Sequence, residues 1–161
     1  MLPKIETLCK QLPVPVGVKE VGFGIDGTVA KQLADVGIAY IDVAGAGGTS
    51  WSQVEKLRSQ DPLRKAAAEA FNSWGIPTKD CIVSVRAELP NIPIVASGGM
   101  KTGLDAAKAI TIGADLVGFA RTLLKAATES VEAVVEKMEQ IELEFKMTMF
   151  GIGAKDIKAL K

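Results

Sequence analysis

Two short stretches of the chain carry residue types that could bind an anion. Ser97–Met100 contains a glycine pair directly after an apolar run, and Ala120–Arg121 follows the next apolar run. Glycines let a backbone close around an anion with its N–H groups exposed, and an arginine supplies positive charge. We interpret the pattern as a phosphate site, rather than as a plain turn followed by a solvated arginine.

Lys19 and Glu20 place charge at the end of Pro15–Val21, which otherwise has the composition of a buried strand. A lysine at such a position can stabilise negative charge that develops on a carbonyl or an electron-rich ring. Alternation along the strand leaves open which of the two points inwards, and we favour Lys19 because Val18 and Val21 flank the pair. The alternative is a solvated lysine at the rim.

A glycine-dense loop, Gly45–Trp51, offers further groups after the second strand. Thr49 and Ser50 follow three glycines, so their hydroxyl and N–H groups could approach a ligand closely. Trp51 could stack on a ligand or cover it, although a tryptophan more often belongs to a core. Asp42, inside the preceding strand, is expected to be paired structurally.

These stretches lie in an alternation of apolar strands and helices. Strands are expected near residues 16–20, 39–44, 93–97 and 115–119, because these runs are short, apolar and bounded by glycine or proline. Helices are expected at 5–11, 26–37, 79–89 and 103–112, over a region from 123 to 145, and as a short helix within 147–161; residues 52–74 are loosely helical. Ligands bind at the carboxyl edge of parallel strands, so the candidate residues should converge there.

Capping residues mark several helix starts. Asp26 or Thr28 is predicted to cap the second helix, and Thr78 the helix that runs to Leu89. Met100–Thr102 opens the helix after the glycine pair, where a helix N-terminus would also favour an anion.

Four strands alternating with helices permit two α/β architectures: a small open doubly wound sheet, or half of an eight-stranded (β/α)8 barrel. Phosphate held by the loops after the last two strands, and an inward charge such as Lys19 at a strand end, are barrel features. A lone half would leave two unpaired strand edges and an exposed apolar sheet face. We expect residues 1–161 to form a single partial barrel domain whose other half is missing.

Composition argues against several classes of function. Lys plus Arg and Asp plus Glu balance at 19 each, so there is no electrostatic reason to expect a nucleic-acid partner. The chain has no histidine, which excludes a histidine base or metal ligand within it. No apolar run has the length of a membrane span, no signal-peptide pattern opens the chain, and Cys9 and Cys81 fit reduced thiols. A cytoplasmic protein without membrane partners is expected.

Four motifs, taken in order, resemble type 2 isopentenyl-diphosphate isomerase, an FMN-dependent family built on the eight-stranded barrel. They are Val18–Gly24, Asp42–Trp51, Ala96–Gly99 and Ala120–Arg121. The first two are specific to that family, whereas the last two are shared by many FMN and phosphate barrels. The resemblance runs over essentially the whole chain, but it covers only the C-terminal half of the family's barrel, strands five to eight.

The resemblance implies roles for individual residues. Ala44 stands where many members have serine, which would remove one hydrogen bond to the flavin. Nothing matches the family's His-x-Asn-x-x-Gln-Glu segment, whose glutamate holds magnesium, so no catalytic residue or metal ligand is assigned to this chain. Trp51 is assigned to the substrate pocket. The predicted FMN contacts are Lys19 and Thr49 on the flavin, and Gly98, Gly99, Met100, Ala120 and Arg121 on its phosphate.

For the parent enzyme, the resemblance implies interconversion of isopentenyl and dimethylallyl diphosphate in isoprenoid biosynthesis. Reduced FMN would act in proton transfer at an allylic carbon, with NADPH as reductant and Mg²⁺ on the diphosphate. The isolated chain is expected to bind FMN weakly, to be inactive, and to self-associate or form a homo-oligomer.

Two alternatives stay open. One is a different FMN barrel, such as a hydroxy-acid oxidase or a dihydroorotate-type dehydrogenase, against which the loop Gly45–Trp51 argues. The other is a non-catalytic half barrel that only binds phosphate or pairs with a second polypeptide.

Overall fold

The computed structural model describes all 161 residues, Met1–Lys161, as four short strands that alternate with helices. The strands are β1 (Gly17–Lys19), β2 (Tyr40–Asp42), β3 (Ile94–Ala96) and β4 (Leu116–Val117). The helices are α1 (Leu2–Gln11), α2 (Gly27–Asp35), α3 (Trp51–Arg58), α4 (Pro62–Glu69), α5 (Thr78–Glu88), α6 (Gly103–Thr111), α7 (Arg121–Ala127) and α8 (Val131–Gly151), followed by a 3₁₀ turn at Ile157–Leu160.

The order of the strands distinguishes the two architectures that the sequence allowed. The sheet runs β1-β2-β3-β4 and every neighbouring pair is parallel. A doubly wound sheet reverses its strand order at a switch point and carries helices on both faces, whereas successive strands of a barrel follow one another around it. The prediction of a half barrel with four parallel strands is confirmed.

The hydrophobic core lies between one face of this sheet and the helices. Ile41 in β2 and Ile94 and Ala96 in β3 are fully buried on that face. Small or branched apolar side chains of the helices pack against them, among them Ala30 and Leu33 of α2, Ile82 and Val85 of α5, and Ala109 and Ile110 of α6.

The opposite face of the sheet is not covered. Successive side chains of a strand point to opposite faces, so Tyr40, Val95 and Leu116 lie on the face away from the helices. The ring of Tyr40 lies over Gly17, where an added Cβ would come within 2.1 Å of it. Tyr40 remains 41% exposed and Leu116 64% exposed. In a complete barrel this inner face would be enclosed by the other strands.

The C-terminal part of the chain differs from the prediction. No separate short helix begins near Gly151, because α8 continues without a break to that residue and only a 3₁₀ turn follows. Phe145 and Met149 both pack against the core, so apolar burial carries the helix past residue 145. None of the helices combines the length and the hydropathy needed to cross a membrane.

Candidate functional site

A cleft of about 410 Å³ opens at the carboxyl edge of the sheet. Loops that follow β1, β2, β3 and β4 all contribute to its walls. The structure therefore brings the eight residues singled out from the sequence to one place, while the role of each stays a prediction. They are Lys19, Thr49, Trp51, Gly98, Gly99, Met100, Ala120 and Arg121.

Lys19 is held by two partners from neighbouring strands. Its Nζ lies 2.9 Å from Oδ2 of Asp42 and donates to Oγ of Ser97 at 2.9 Å. Oγ of Ser97 donates in turn to Oδ1 of Asp42 at 2.6 Å, which closes a three-membered network. An ammonium group has three donors, so one remains for a ligand. The side chain of Lys19 is 56% exposed, and its charge is thus both fixed and accessible.

Glu20, the other charged residue at the end of β1, does not line the cleft. Its Oε2 accepts the backbone N–H groups of Gly22 and Phe23, each at 2.7 Å, as well as that of Val21. One carboxylate oxygen thereby fixes the loop after β1. Gly22 in this loop lies against the next one, because an added Cβ would sit 2.8 Å from the carbonyl oxygen of Thr49.

The loops after β2 and β3 meet backbone to backbone. A Cβ on Gly98 would lie 2.2 Å from the carbonyl oxygen of Gly45, and one on Gly99 would lie 2.6 Å from that of Gly47. Gly98 and Gly99 also have φ of 97° and 80°, a region that side chains other than glycine rarely adopt. Glycine is therefore required here both for space and for conformation.

Unpaired backbone donors mark the floor of the cleft. The N–H groups of Gly98, Gly99, Met100 and Ala120 donate to no protein acceptor, and Arg121 lines the same cleft. Several N–H groups in a concave loop, together with a guanidinium, suit an anion of the size of a phosphate. The residues present thus fit the phosphate of FMN, the group that the sequence resemblance implies.

The N-terminus of α6 contributes less than expected. The N–H groups of Lys101 and Thr102 both donate to Oδ2 of Asp105, and that of Gly103 donates to Oε2 of Glu144 at 2.8 Å. The bond from Gly103 is also the main reason why the pKa of Glu144 is held below its usual value. These donors are already used, so within the predicted Met100–Thr102 stretch only the N–H group of Met100 is left for an anion. The capping-box spacing of Thr102 and Asp105 is the sequence signal that the N–H groups at this helix end are occupied.

A second cavity, of about 550 Å³, lies at the opposite edge of the sheet. Its charged groups are paired with one another: Arg86 donates to Asp115 at 2.7 Å, and Lys161 lies 2.5 Å from the other oxygen of Asp115. Arg86 also donates to the carbonyl oxygen of Gly113. We interpret this cluster as structural, because it ties the start of β4 to the end of α5.

Comparison with known proteins places the chain in a family. A family of FMN-dependent dehydrogenases matches residues 2–161, nearly the entire chain. The chain belongs to the FMN-dependent dehydrogenase family. This agrees with the fit of the glycine loops and Arg121 to a flavin phosphate.

Relatives of this family member have names that state a specific activity. Isopentenyl-diphosphate delta-isomerase of Oceanobacillus iheyensis is 76% identical over 161 residues, and that of Vibrio campbellii is 51% identical over 160. The matches cover 100% and 99% of this chain but only 46% and 47% of the relatives. The chain thus spans about half the length of the curated relatives it matches.

Solved structures support the fold of this FMN-dependent dehydrogenase family member. An oxidised active mutant of (S)-mandelate dehydrogenase superimposes on the whole chain with a TM-score of 0.78 at 18% identity and is covered to 39%. GMP reductase of Trypanosoma brucei matches 99% of the chain with a TM-score of 0.69 at 20% identity and is covered to 35%. At such identities the likeness shows the fold alone.

Sequence reasoning missed two threonines that support the cleft of this family member. Thr78 was expected to cap α5, but Pro77 holds the cap position and the Thr78 hydroxyl donates to the carbonyl oxygen of Gly98 at 2.6 Å. Thr122 donates to the carbonyl oxygen of Met100 at 2.8 Å and so joins the two loops at the cleft floor. A threonine at the first turn of a helix gives no signal that distinguishes this role from capping.

Proposed function

We propose that this chain is the cofactor-binding half of an FMN-dependent isopentenyl-diphosphate isomerase. One observation carries the proposal: the predicted FMN contacts line a single cleft whose floor has four unpaired backbone N–H donors. The isomerase reaction is supported by the 76% identical relative of that name, of which the chain matches 46%.

Different residues of the cleft bind different parts of FMN. The N–H groups of Gly98–Met100 and Ala120 donate to the phosphate, and Arg121 pairs with its charge. Lys19, held by Asp42 and Ser97, stabilises negative charge on the flavin ring, and Thr49 contacts the same ring. Reduced FMN supplies the proton transfer to and from an allylic carbon.

Substrate recognition requires groups beyond this chain. In this proposal isopentenyl and dimethylallyl diphosphate are the substrates, and Trp51, 46% exposed beside the cleft, covers their apolar part. Mg²⁺ on the diphosphate and NADPH as reductant belong to the complete enzyme, and no metal ligand is assigned to this chain. A cytoplasmic location remains a prediction from the composition.

The isolated chain is proposed to bind FMN weakly and to lack isomerase activity. A half barrel keeps the phosphate contacts but loses the contacts of the other half, and a loss of about 4 kcal/mol weakens binding roughly a thousandfold. The uncovered sheet face around Leu116 is proposed to drive self-association.

Binding of FMN to the purified chain tests the cofactor assignment. We expect Arg121→Met to weaken FMN binding by roughly tenfold, because a charge-assisted bond to the phosphate is lost. Arg64→Met is the matched control, since Arg64 lies on α4 outside the cleft with its side chain 83% exposed. Equal affinities of the parent chain and the Arg121 variant would overturn the assignment.

The family match favours a second candidate, an FMN-dependent oxidoreductase. Oxidation of a 2-hydroxy acid by the complete protein, without conversion of isopentenyl diphosphate, would support it over the isomerase.

A further inference from the structure

Thr78 lies directly behind the anion-binding loop and outside the cleft. It is buried, with 5% of its surface exposed. Its backbone N–H donates to the carbonyl oxygen of Ala46, and a Cβ on Gly45 would lie 2.5 Å from the Thr78 Cα. The side chain therefore has little freedom to move away, and its hydroxyl faces the loop after β3.

The hydroxyl of Thr78 contacts two successive carbonyl groups of that loop. Its Oγ1 lies 2.6 Å from the carbonyl oxygen of Gly98 and 3.3 Å from that of Ser97. A hydroxyl has one proton to donate, so the shorter contact is the main bond. The carbonyl oxygen of Ser97 is held in addition by the N–H group of Gly45 at 3.1 Å.

The planarity of the peptide bond links the bond from Thr78 to the direction of a backbone N–H donor. In a trans peptide unit the C=O and N–H groups point opposite ways. The unit that carries the Ser97 carbonyl also carries the N–H of Gly98, and the unit of the Gly98 carbonyl carries the N–H of Gly99. Because the Gly98 carbonyl points back to Thr78, the N–H group of Gly99 points away from it; this N–H has no protein acceptor, and Gly99 lines the cleft.

We propose that Thr78 is a positioning residue for phosphate binding, because its hydroxyl holds the Gly98 carbonyl and so turns the N–H group of Gly99 towards the cleft. The inference rests on the proposed FMN site. Glycine offers little resistance to rotation of its neighbouring peptide units, so the loop needs a brace from outside. Without the hydroxyl, the Gly98 carbonyl loses its donor, and a phosphate must order the loop when it binds.

FMN and riboflavin differ only by the phosphate, so comparing how the chain binds them distinguishes a positioning role of Thr78 from a general effect on stability. A brace that merely stabilises the fold would affect FMN and riboflavin equally when removed. A brace that aims an N–H group at the phosphate affects FMN alone. The ratio of the two affinities, measured on the same preparation, is also independent of the fraction of folded protein.

The experiment titrates a fixed low concentration of FMN or riboflavin with the chain and follows the anisotropy of flavin fluorescence. Thr78→Val keeps the shape but removes the hydroxyl, and Thr78→Ser keeps the hydroxyl. We expect Thr78→Val to weaken FMN binding about fivefold, the equivalent of one net hydrogen bond, and to leave riboflavin binding unchanged. Thr78→Ser should keep the preference of the parent chain for FMN.

Any other result contradicts either the positioning role of Thr78 or the phosphate site itself. If the parent chain prefers FMN and Thr78→Val keeps that preference, the positioning role is wrong and the phosphate site stands. If the parent chain binds FMN and riboflavin equally, the phosphate site is wrong and the role of Thr78 fails with it. Should Thr78→Val fail to fold, Thr78→Ala against Thr78→Ser gives the same comparison.

Discussion

Lys19 has its charge fixed between a carboxylate and a hydroxyl, with one donor left for a ligand. We expect Lys19→Met to weaken FMN binding by roughly tenfold, because a hydrogen bond from a charged group is lost. Lys31→Met on the outer surface of α2 is the matched control. An unchanged affinity of the Lys19 variant, measured by flavin fluorescence, would show that this lysine does not contact the flavin.

Single residues differ in how far the sequence reveals them. Lys19, Gly98 and Arg121 stand out because each follows an apolar run at the point where a strand ends. Ser97, a partner of Lys19, does not, because it is 78 residues away from Lys19 along the chain and becomes a neighbour only through the register of the sheet. The role of Thr78 likewise depends on a contact between two loops.

At the scale of elements, the contact between the loops after β2 and β3 allows a direct test. We expect Gly99→Ala to destabilise the chain by about 2 kcal/mol, because its φ of 80° disfavours a side chain and the new Cβ would meet Gly47. Gly151→Ala at the end of α8 is the control, since nothing lies within 4 Å of its added Cβ. Urea unfolding should show no destabilisation for that variant, and equal loss in both would contradict the loop contact.

The cluster around Asp115 at the other edge of the sheet predicts a dependence of stability on pH. Burial raises the pKa of Asp115, but the bonds from Lys161, from the Ile94 N–H and from Arg86 outweigh it and lower the pKa overall. The resulting stability is present above the ordinary pKa of aspartate and is lost as pH falls through the lowered value. About a third of the Asp115 side chain is exposed, so we expect its ionised form to contribute about 1 kcal/mol to the free energy of unfolding.

Asp115→Asn should therefore lower the free energy of unfolding at neutral pH, measured by urea denaturation. The difference in this free energy from the parent chain should shrink in acid. A difference that persists unchanged at strongly acidic pH would contradict the charge argument.

The sequence predicts strands and helices best where a run of apolar residues alone defines them. The four strands and their helices could be placed from sequence, but α8 extends beyond its predicted end because Phe145 and Met149 find partners in the core. At the start of α6, Glu144, far along the chain, accepts the N–H of Gly103 and so withdraws a donor that the sequence leaves available to an anion. Both differences come from contacts that only tertiary packing creates.

For the whole molecule, the uncovered sheet face predicts self-association. Leu116 in the edge strand β4 is 64% exposed, and burial of apolar surface is favourable by about 25 cal/mol per Å². We expect Leu116→Glu to shift sedimentation towards the monomer. Leu57→Glu is the control, because Leu57 is 79% exposed on α3, away from the sheet. Equal sedimentation of the parent chain and the Leu116 variant would show that another surface is involved.

This chain is proposed to carry the FMN-binding half of an isomerase. The most direct measurement mixes it with the segment of the Oceanobacillus iheyensis relative that it does not match, adds reduced FMN and Mg²⁺, and follows conversion of isopentenyl diphosphate. We expect no turnover by either piece alone and turnover by the assembled pair. Turnover by this chain alone as a monomer, or a folded pair that binds FMN and remains inactive, would contradict it.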